Sequence, residues 1–233
     1  MKVYLIGKTQ EMVFDSTDHE FAMPGKARGS DFEARAQYEL DSGQLLIEFA
    51  GRLCYESVDL PNPKTADNSG YIRNIISLHH ESVLEHVSVT FYVEGVSRNL
   101  SHELIRHRHL SFSELSQRYV NMEDANVVIP PANGGGTRPL PKAHKGAYGD
   151  AVETLTQEGF TRKQAREAAR YGLPAGTETK FVVTGNLRAW RDVLKKRHSE
   201  FADAEMQKLA AELLIQLSIE YPDVFADIKK ESK

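Results

Sequence analysis

The sequence contains a single cysteine, Cys54, among its 233 residues. One thiol can form neither an internal disulfide nor a cage of cysteine ligands around zinc, and such scarcity is typical of a reducing compartment. Long apolar runs are missing as well, since none approaches the roughly 20 residues that span a bilayer. The apolar stretch in the N-terminal MKVYLIGKTQ ends too early for a signal peptide. We therefore expect a cytoplasmic protein with no membrane partner.

Neither sign of charge dominates the chain. Its 33 acidic and 29 basic residues give a formal net charge of -4 at pH 7, so we expect no global attraction for nucleic acid or an anionic membrane. Any affinity for anions must then be local. Hydrophobic residues make up 40% of the chain, which is ordinary for a globular protein, and a single domain over residues 1–233 is the simplest organisation.

Strand and helix patterns are mixed along the chain. Strands are predicted at KVYLIG, at TETKFVVTG and at VSVTFYVEGVS, where apolar and polar residues alternate from Val87 to Val93. Helices are predicted for DSGQLLIEFAGRLCYE, NSGYIRNIISLHHESVLEH, SRNLSHELIRHRH, TRKQAREAARYG, NLRAWRDVLKKR and DAEMQKLAAELLIQLSIEY, with Thr161 and Asn186 as N-caps. Loops are predicted over 11–40 and in a Pro/Gly-rich surface segment near 130–146. The mixture favours an α/β or α+β fold over a helical bundle.

Residues 106–120, RHRHLSFSELSQRYV, concentrate three arginines and two histidines in fifteen positions. Helical spacing places His102, Arg106 and His109 near one stripe, so the stretch is predicted to begin on the last turns of a helix and to continue into a serine-rich loop. Guanidinium groups are planar forks that bind phosphate or stack on aromatic rings. A second basic set follows on later helices: Arg170, Arg188, Arg191 and Arg197. With Glu114 as an acceptor for a base or a sugar hydroxyl, these residues indicate a nucleotide pocket.

Simpler interpretations compete for the same residues. The arginine-rich stretch could be a solvated, charged helix end. HHESVLEH lacks the HExxH pattern of zinc proteases, which favours a packed or capping role for His79 and a ligand contact for His80 over a metal site. NGGGTRPLPK lacks the spacing of a phosphate-binding loop, so a flexible loop is favoured. Cys54 lies in an apolar helical pattern, where a buried and inert thiol is expected.

The stretch 106–120 resembles the RHRx7S signature of the flavin-dependent thymidylate synthases, the ThyX type. The residues that match this signature or its wider form RHRxxSxxxxSxRY are Arg106, His107, Arg108, Ser111, Ser116, Arg118 and Tyr119. The resemblance extends through YIRNIISLHHESVLEHVSVTFYV and ARYGLPAGTETKFVVTGNLRAW, and it covers most of residues 44–220. It implies a ThyX-type α/β (α+β) fold with a mixed, largely antiparallel sheet and packed helices, assembled as a homotetramer with active sites at subunit interfaces.

The resemblance also implies a reaction and a set of site residues. The reaction is the reductive methylation of dUMP to dTMP, with the carbon from 5,10-methylenetetrahydrofolate and the hydride from NADPH through FAD. The implied FAD contacts are Ser82, Arg106, His107, Arg108, Glu114, Asn186, Arg188 and Asp192. The implied dUMP contacts are Glu103, Arg106, Glu114, Ser116, Gln117, Arg118, Arg170 and Arg197. Arg197 is implied to bind and activate the uracil and His80 to lie near the folate and flavin, with no metal involved.

This sequence departs from the family's pattern at three places. Asp192 stands where relatives carry Asn or His, Ser113 replaces a common Asn, and Phe201 replaces a frequent His.

The chemistry of uracil methylation indicates a catalytic role for an arginine. Methylation at C5 usually begins with a thiolate that adds at C6. If the one thiol is buried away from the site, the base must instead be polarised, and Arg197 could stabilise the charge that develops in the ring. Ser116 has no evident triad partner, so a hydrogen bond to the substrate phosphate is preferred over nucleophilic attack.

Two other functions remain open on the sequence alone. One is a nucleotide- or RNA-binding module without turnover, for which Phe112 and Tyr119 are the only stacking aromatics beside the arginines. The other is a cysteine-dependent methyltransferase. Flavin absorbance in the purified protein would favour the flavin enzyme over both.

Overall fold

The structure, a computed structural model, describes residues 1–9, 42–57 and 64–228. The strands are β1 Lys2–Lys8, β2 Ser88–Ser97, β3 Leu110–Glu114, β4 Asn126–Val128, β5 Thr137–Pro139 and β6 Glu178–Asn186. The α-helices are α1 Ser42–Leu53, α2 Asn68–Ser77, α3 Arg98–Leu104, α4 Lys142–Gln157, α5 Arg162–Ala169, α6 Leu187–Arg197, α7 Ala204–Glu220 and α8 Pro222–Phe225. Short 3₁₀ helices cover Glu81–His86, Pro131–Asn133 and Arg170–Gly172. The loop predicted for 11–40 lies outside the described residues.

A four-stranded sheet in the order β1-β2-β6-β3 carries the fold, and each neighbouring pair of strands is antiparallel. The alternation predicted for β2 is confirmed, because Val89, Phe91 and Val93 are fully buried while Thr90 and Tyr92 on the other face are only partly covered. A second sheet pairs β4 with β5. Helices and antiparallel strands thus form the predicted mixed α+β architecture.

Helices α6 and α7 cover the buried face of the sheet. The Trp190 ring meets Phe91 edge-on, with ring centroids 5.2 Å apart, and its indole nitrogen donates to the carbonyl of Val89 at 3.2 Å. This bond satisfies the polar atom of a fully buried indole. On α7, Met206, Leu209, Leu213 and Leu217 are buried in the core and Leu214 is partly buried against it.

β1 is an edge strand whose outer side is partly covered by a side chain of α7. Gln216 accepts a hydrogen bond from the backbone N–H of Leu5 at 2.8 Å and donates to the carbonyl of Val3 at 2.9 Å. One amide group therefore replaces the partner strand that β1 lacks there. On β2, a bulge at Gly95 has a φ of 71°, a conformation in which a Cβ would lie 2.9 Å from the nitrogen of Met1.

The predicted N-caps are confirmed. Asn186 accepts from the backbone N–H of Ala189 at 2.8 Å at the start of α6, and Thr161 forms a reciprocal capping box with Gln164 at the start of α5. Other boundaries differ from the prediction. α2 ends at Ser77, and the following chain turns through His79, which has a φ of 57° and is exposed, so the expected packed or capping role of His79 is wrong.

The segment 130–146 is largely exposed, as predicted, but it is not without structure. It includes the short strand β5 and the first turns of α4, a sixteen-residue helix that the sequence patterns do not predict. Of the residues described, no helix combines the length and apolarity needed to cross a membrane.

Candidate active site

A cavity of about 710 Å³ opens where the turn after α3 meets the first turns of α6 and the 3₁₀ helix Glu81–His86. Its lining consists of Glu85, Arg106, His107, Arg108, His109, Leu110, Asn186, Arg188, Ala189, Asp192 and Lys196. Six of the eight residues expected to contact FAD belong to this set. The volume falls within the usual range for a small-molecule or cofactor site.

The sharp end of α3 presents the arginines to this cavity. The helix stops at Leu104, and hydrogen bonds from His107 to Leu104 at 3.0 Å and from Leu110 to His107 at 3.2 Å close a turn. Strand β3 then starts at Leu110. The predicted helical stripe through Arg106 and His109 is therefore wrong, and the predicted serine-rich loop is in fact β3 up to Glu114. The turn leaves Arg106 and Arg108 exposed at the cavity.

A chain of polar and charged groups forms part of the cavity wall and continues behind it. The Nε of Arg197 donates to Nε2 of His107 at 3.0 Å, and Nη1 of Arg197 lies 3.2 Å from Oε2 of Glu103. Because Nε2 of His107 accepts, its Nδ1 carries the proton in the neutral ring and faces Oδ2 of Asp192 at 3.6 Å. Lys196 neutralises Asp192 from the other side at 2.7 Å. The carboxylate of Asp192 is thus balanced within the wall.

The pKa of His107 lies below its ordinary value, first because burial penalises the charged ring and second because the Arg197 guanidinium repels a proton; Asp192 opposes both effects in part. His107 is consequently neutral at neutral pH, as its acceptor role requires. In the unfolded chain the imidazole has its ordinary pKa of about 6.5. Between that pH and the lower pKa of the folded state, the unfolded state binds more protons, so the free energy of unfolding decreases as the pH falls. Above that window, the protonation of His107 does not affect stability.

We expect His107→Asn to flatten the loss of stability on acidification. The free energy of unfolding should be measured by urea titration at pH 7.5 and 5.5 for both proteins. His109→Asn, which changes an exposed histidine two residues away, is the control and should keep the wild-type difference. Equal differences in wild type and His107→Asn would show that His107 does not titrate as inferred.

The first turn of α6 contributes two further groups. Asn186 uses its side-chain oxygen in the helix cap, which leaves its amide N–H groups as donors at the cavity. Arg188 pairs with Glu85 at 2.5 Å, and both side chains are about half exposed. A guanidinium held at a cavity mouth by an exposed pair can exchange its carboxylate for an anionic ligand at small cost.

The remaining residues predicted to contact dUMP lie at the opposite end of β3. Glu114 accepts from Thr179 at 2.9 Å and pairs with Arg98 at 3.3 Å, while Arg118 pairs with Glu167 at 2.8 Å. Ser116 and Arg170 are half-buried and Gln117 is buried. Five strand residues span roughly 13 Å. Within the described chain, this second group does not line the cavity of Arg106 and Arg188.

His80 and Ser82 are exposed on either side of Glu81, at the start of the 3₁₀ helix that bounds the cavity. Neither lines the cavity within the described chain. Among the described residues, there is also no cluster of three or more His, Cys, Asp or Glu side chains that could hold a metal ion.

Two expectations about individual residues are wrong. Arg191, which the sequence groups with the pocket arginines, is fully buried and paired with Glu81 and Asp227. Cys54 is exposed rather than buried, and it directly follows the end of α1 at Leu53. Sequence reasoning also missed Lys196 and Glu85 as lining residues. Lys196 could have been found from its position one helical turn after Asp192.

An arginine-lined cavity at the junction of an antiparallel sheet and its helices is suited to an anionic, partly planar ligand. Comparison with known proteins narrows this class. Residues 37–223 match the family described as thymidylate synthase complementing protein. The chain is 49% identical to the flavin-dependent thymidylate synthase of Mycobacterium tuberculosis H37Rv and 50% identical to that of Mycolicibacterium vanbaalenii, each over 204 residues and 82% of both chains.

The fold is also similar to that of a solved protein. The crystal structure of thymidylate synthase X (ThyX) from Helicobacter pylori with FAD and dUMP aligns with a TM-score of 0.63 and 24% identity, over 81% of this chain and 95% of that one. The chain belongs to the flavin-dependent thymidylate synthase family. Its enzyme class is accordingly that of a methyltransferase acting in dTMP biosynthesis.

Proposed function

We propose that the chain converts dUMP to dTMP with 5,10-methylenetetrahydrofolate as the carbon donor, FAD as the bound cofactor and NADPH as the reductant. The observation that carries this proposal is the cavity in which the turn formed by Arg106, His107 and Arg108, the RHR turn, meets the start of α6. Two mycobacterial relatives, each about half identical to the chain, are flavin-dependent enzymes, which supports the flavin. The H. pylori protein, which has a similar fold, was crystallised with FAD and dUMP together.

The donor set of the cavity fits the anionic part of FAD. Arg106, Arg108 and Arg188 expose guanidinium groups to it, and the amide of Asn186 adds neutral donors. Planar forks of this kind bind phosphate oxygens in pairs. Asp192 fits as well, because Lys196 and the N–H of His107 offset its charge. We assign Ser82, Arg106, His107, Arg108, Glu114, Asn186, Arg188 and Asp192 to FAD.

Bound FAD would supply the hydride chemistry that amino-acid side chains lack. The protein's own task is then to orient the pyrimidine and to stabilise its charge. Arg197 suits this task because Glu103 and His107 hold its guanidinium in a half-buried position directly behind the cavity. A fixed cation there stabilises negative charge on a uracil carbonyl more than it would in water. We assign His80, exposed beside the cavity wall, to the folate side.

We further propose that the active site is shared between subunits of a homotetramer. The residues assigned to dUMP divide into Glu103, Arg106 and Arg197 at one end of β3 and Glu114, Ser116, Gln117, Arg118 and Arg170 at the other. Both groups can contact one nucleotide if a second copy of the chain places its own Glu114–Arg170 group beside the cavity of the first copy. We propose the cytoplasm as its location and a single catalytic domain over residues 1–233, with neither nucleic acid nor a metal required.

The decisive experiment is incubation of the purified protein with dUMP, methylenetetrahydrofolate and NADPH, with and without added FAD, scored for dTMP. We expect dTMP and a flavin absorption spectrum. Binding of dUMP with no turnover under any of these conditions would overturn the proposal in favour of a nucleotide-binding module.

We expect Cys54→Ala to form dTMP at close to the wild-type rate. The thiol is exposed at the end of α1, its sulfur contacts the carbonyl of Ala50 at 3.4 Å, and among the described residues it takes no part in lining the cavity. The initial rate of dTMP formation measures the effect, and Cys54→Ser controls for loss of side-chain volume. Loss of activity in both variants would instead indicate a thiolate that attacks C6.

A further inference from the structure

A buried arginine supports the wall of the cavity from behind. Arg191 lies on α6 with its side chain 1% exposed, and all three guanidinium nitrogens are hydrogen-bonded. Nε and Nη2 donate to Glu81 at 3.3 and 3.1 Å, and Nη1 and Nη2 donate to the two oxygens of Asp227 at 2.7 and 2.8 Å. Nη1 also donates to the carbonyl of Val224. Such complete pairing is what allows a guanidinium to be buried.

Three separate segments meet at this side chain. Glu81 begins the 3₁₀ helix that bounds the cavity, Arg191 lies in the middle of α6, and Val224 and Asp227 belong to the C-terminal segment around α8. Burial raises the pKa of Glu81, but hydrogen bonds from Lys195 and Arg191 outweigh it and leave the pKa below its ordinary value. The hydrogen bond from Arg191 likewise lowers the pKa of Asp227. Both carboxylates are therefore ionised at neutral pH and attract the guanidinium.

The same 3₁₀ helix also pairs with α6 at the cavity itself. Glu85 pairs with Arg188 at 2.5 Å, and both residues line the cavity. That outer pair is about half exposed, so alone it fixes little. Glu81 pairs with both Lys195, which is 45% exposed, and Arg191, which is 1% exposed, so the pair with Arg191 is the buried ionic link between the two elements. His80 and Ser82 flank Glu81 in sequence and follow any displacement of it.

We propose that Arg191 is a positioning residue for the flavin, and that the C-terminal segment acts through it on the cavity. The guanidinium holds the 3₁₀ helix at the distance from α6 at which Arg188 and Asn186 can contact the same ligand. Val224 and Asp227 keep the guanidinium in that orientation. Arg191 itself makes no contact with the cavity within the described residues. This inference rests on the proposed binding of FAD.

The test compares Arg191→Met with Arg52→Met. Arg52 is a matched control, because it is also buried in an ion pair, to Glu48 at 2.7 Å, and donates to the carbonyl of Thr65 at 2.6 Å, but it lies on α1. FAD release from purified holoenzyme on dilution, followed by flavin fluorescence, gives the dissociation constant. We expect it to rise about tenfold or more in Arg191→Met, as when a supporting residue around a ligand site is lost. Arg52→Met should lower the melting temperature without changing the dissociation constant.

A second variant guards against failure of Arg191→Met to fold. Asp227→Ala removes the C-terminal tie at a side chain that is 45% exposed, and its FAD dissociation constant should rise about threefold, less than for loss of the arginine. An unchanged dissociation constant in a folded Arg191→Met, or in Asp227→Ala if the former does not fold, would overturn the inference. So would an equal rise in Arg52→Met. Failure of the unmodified protein to bind FAD would instead overturn the proposed cofactor.

Discussion

Replacement of Arg197 by alanine is expected to reduce dTMP formation by at least about 100-fold while FAD stays bound. The reduction follows because removal of one preorganised charge stabiliser costs about 10²–10³ in rate. FAD should stay because Arg197 lies behind His107 and, of the described residues, those that line the cavity do not include it. Initial rates of dTMP formation and the flavin absorption spectrum of the same preparation measure the two effects.

Arg197→Lys separates charge from geometry. A lysine keeps the positive charge but cannot donate to His107 and Glu103 with a planar fork. We expect it to recover only part of the rate. A rate for Arg197→Ala within about threefold of wild type would contradict the role given to Arg197, since that is far smaller than the loss of such a group.

Subunit mixing extends this test to the proposed shared site. Arg197→Ala and Arg118→Ala change residues at opposite ends of β3. If each active site takes Arg197 from one subunit and Arg118 from another, a mixed oligomer of the two variants contains some sites in which both residues are wild type. Mixing should therefore restore activity that neither variant has alone.

Replacement of Val89 by aspartate is expected to destabilise the fold by about 3–5 kcal/mol, since it buries an unpaired carboxylate. Val89 is fully buried near the start of β2, between β1 and β6, and its carbonyl accepts from the buried indole of Trp190. No cation on the packed face is available among the described core residues that surround it. The free energy of unfolding from urea titration measures the loss.

Thr90→Asp places the same side chain one residue later, on the less covered face. There it removes a hydrogen bond between Thr90 and Thr184 of 2.9 Å, worth about 1 kcal/mol. We expect a loss of that size. Equal losses at positions 89 and 90 would mean that the two faces of the sheet do not differ as described.

Much of the fold follows from local signals in the sequence. The alternation in β2 predicts its buried face, because side chains on a strand point to opposite sides in turn. Asn186 and Thr161 predict the starts of α6 and α5, since their side chains can cap backbone N–H groups. The family resemblance groups the arginines of the RHR turn with Asn186 and Arg188, and these residues line one cavity.

The errors concern features that depend on distant residues. The sequence predicts a loop at β3 because five residues rich in serine form a strand only when paired with β6, some 70 residues later. Arg191 has the same local sequence signal as an exposed arginine. What buries it are Glu81, 110 residues earlier, and Asp227, 36 residues later. Hydrophobic periodicity carries no information about such pairs.

The contact of Gln216 with β1 has a consequence for association. The outer rim of an unpaired strand offers free backbone groups to any similar segment, which is a common route to aggregates. Here a side-chain amide occupies those groups at Val3 and Leu5. Another chain could pair with this part of β1 only after α7 had moved away from it. The helix that packs on the core therefore also hinders the growth of fibrils from the first strand.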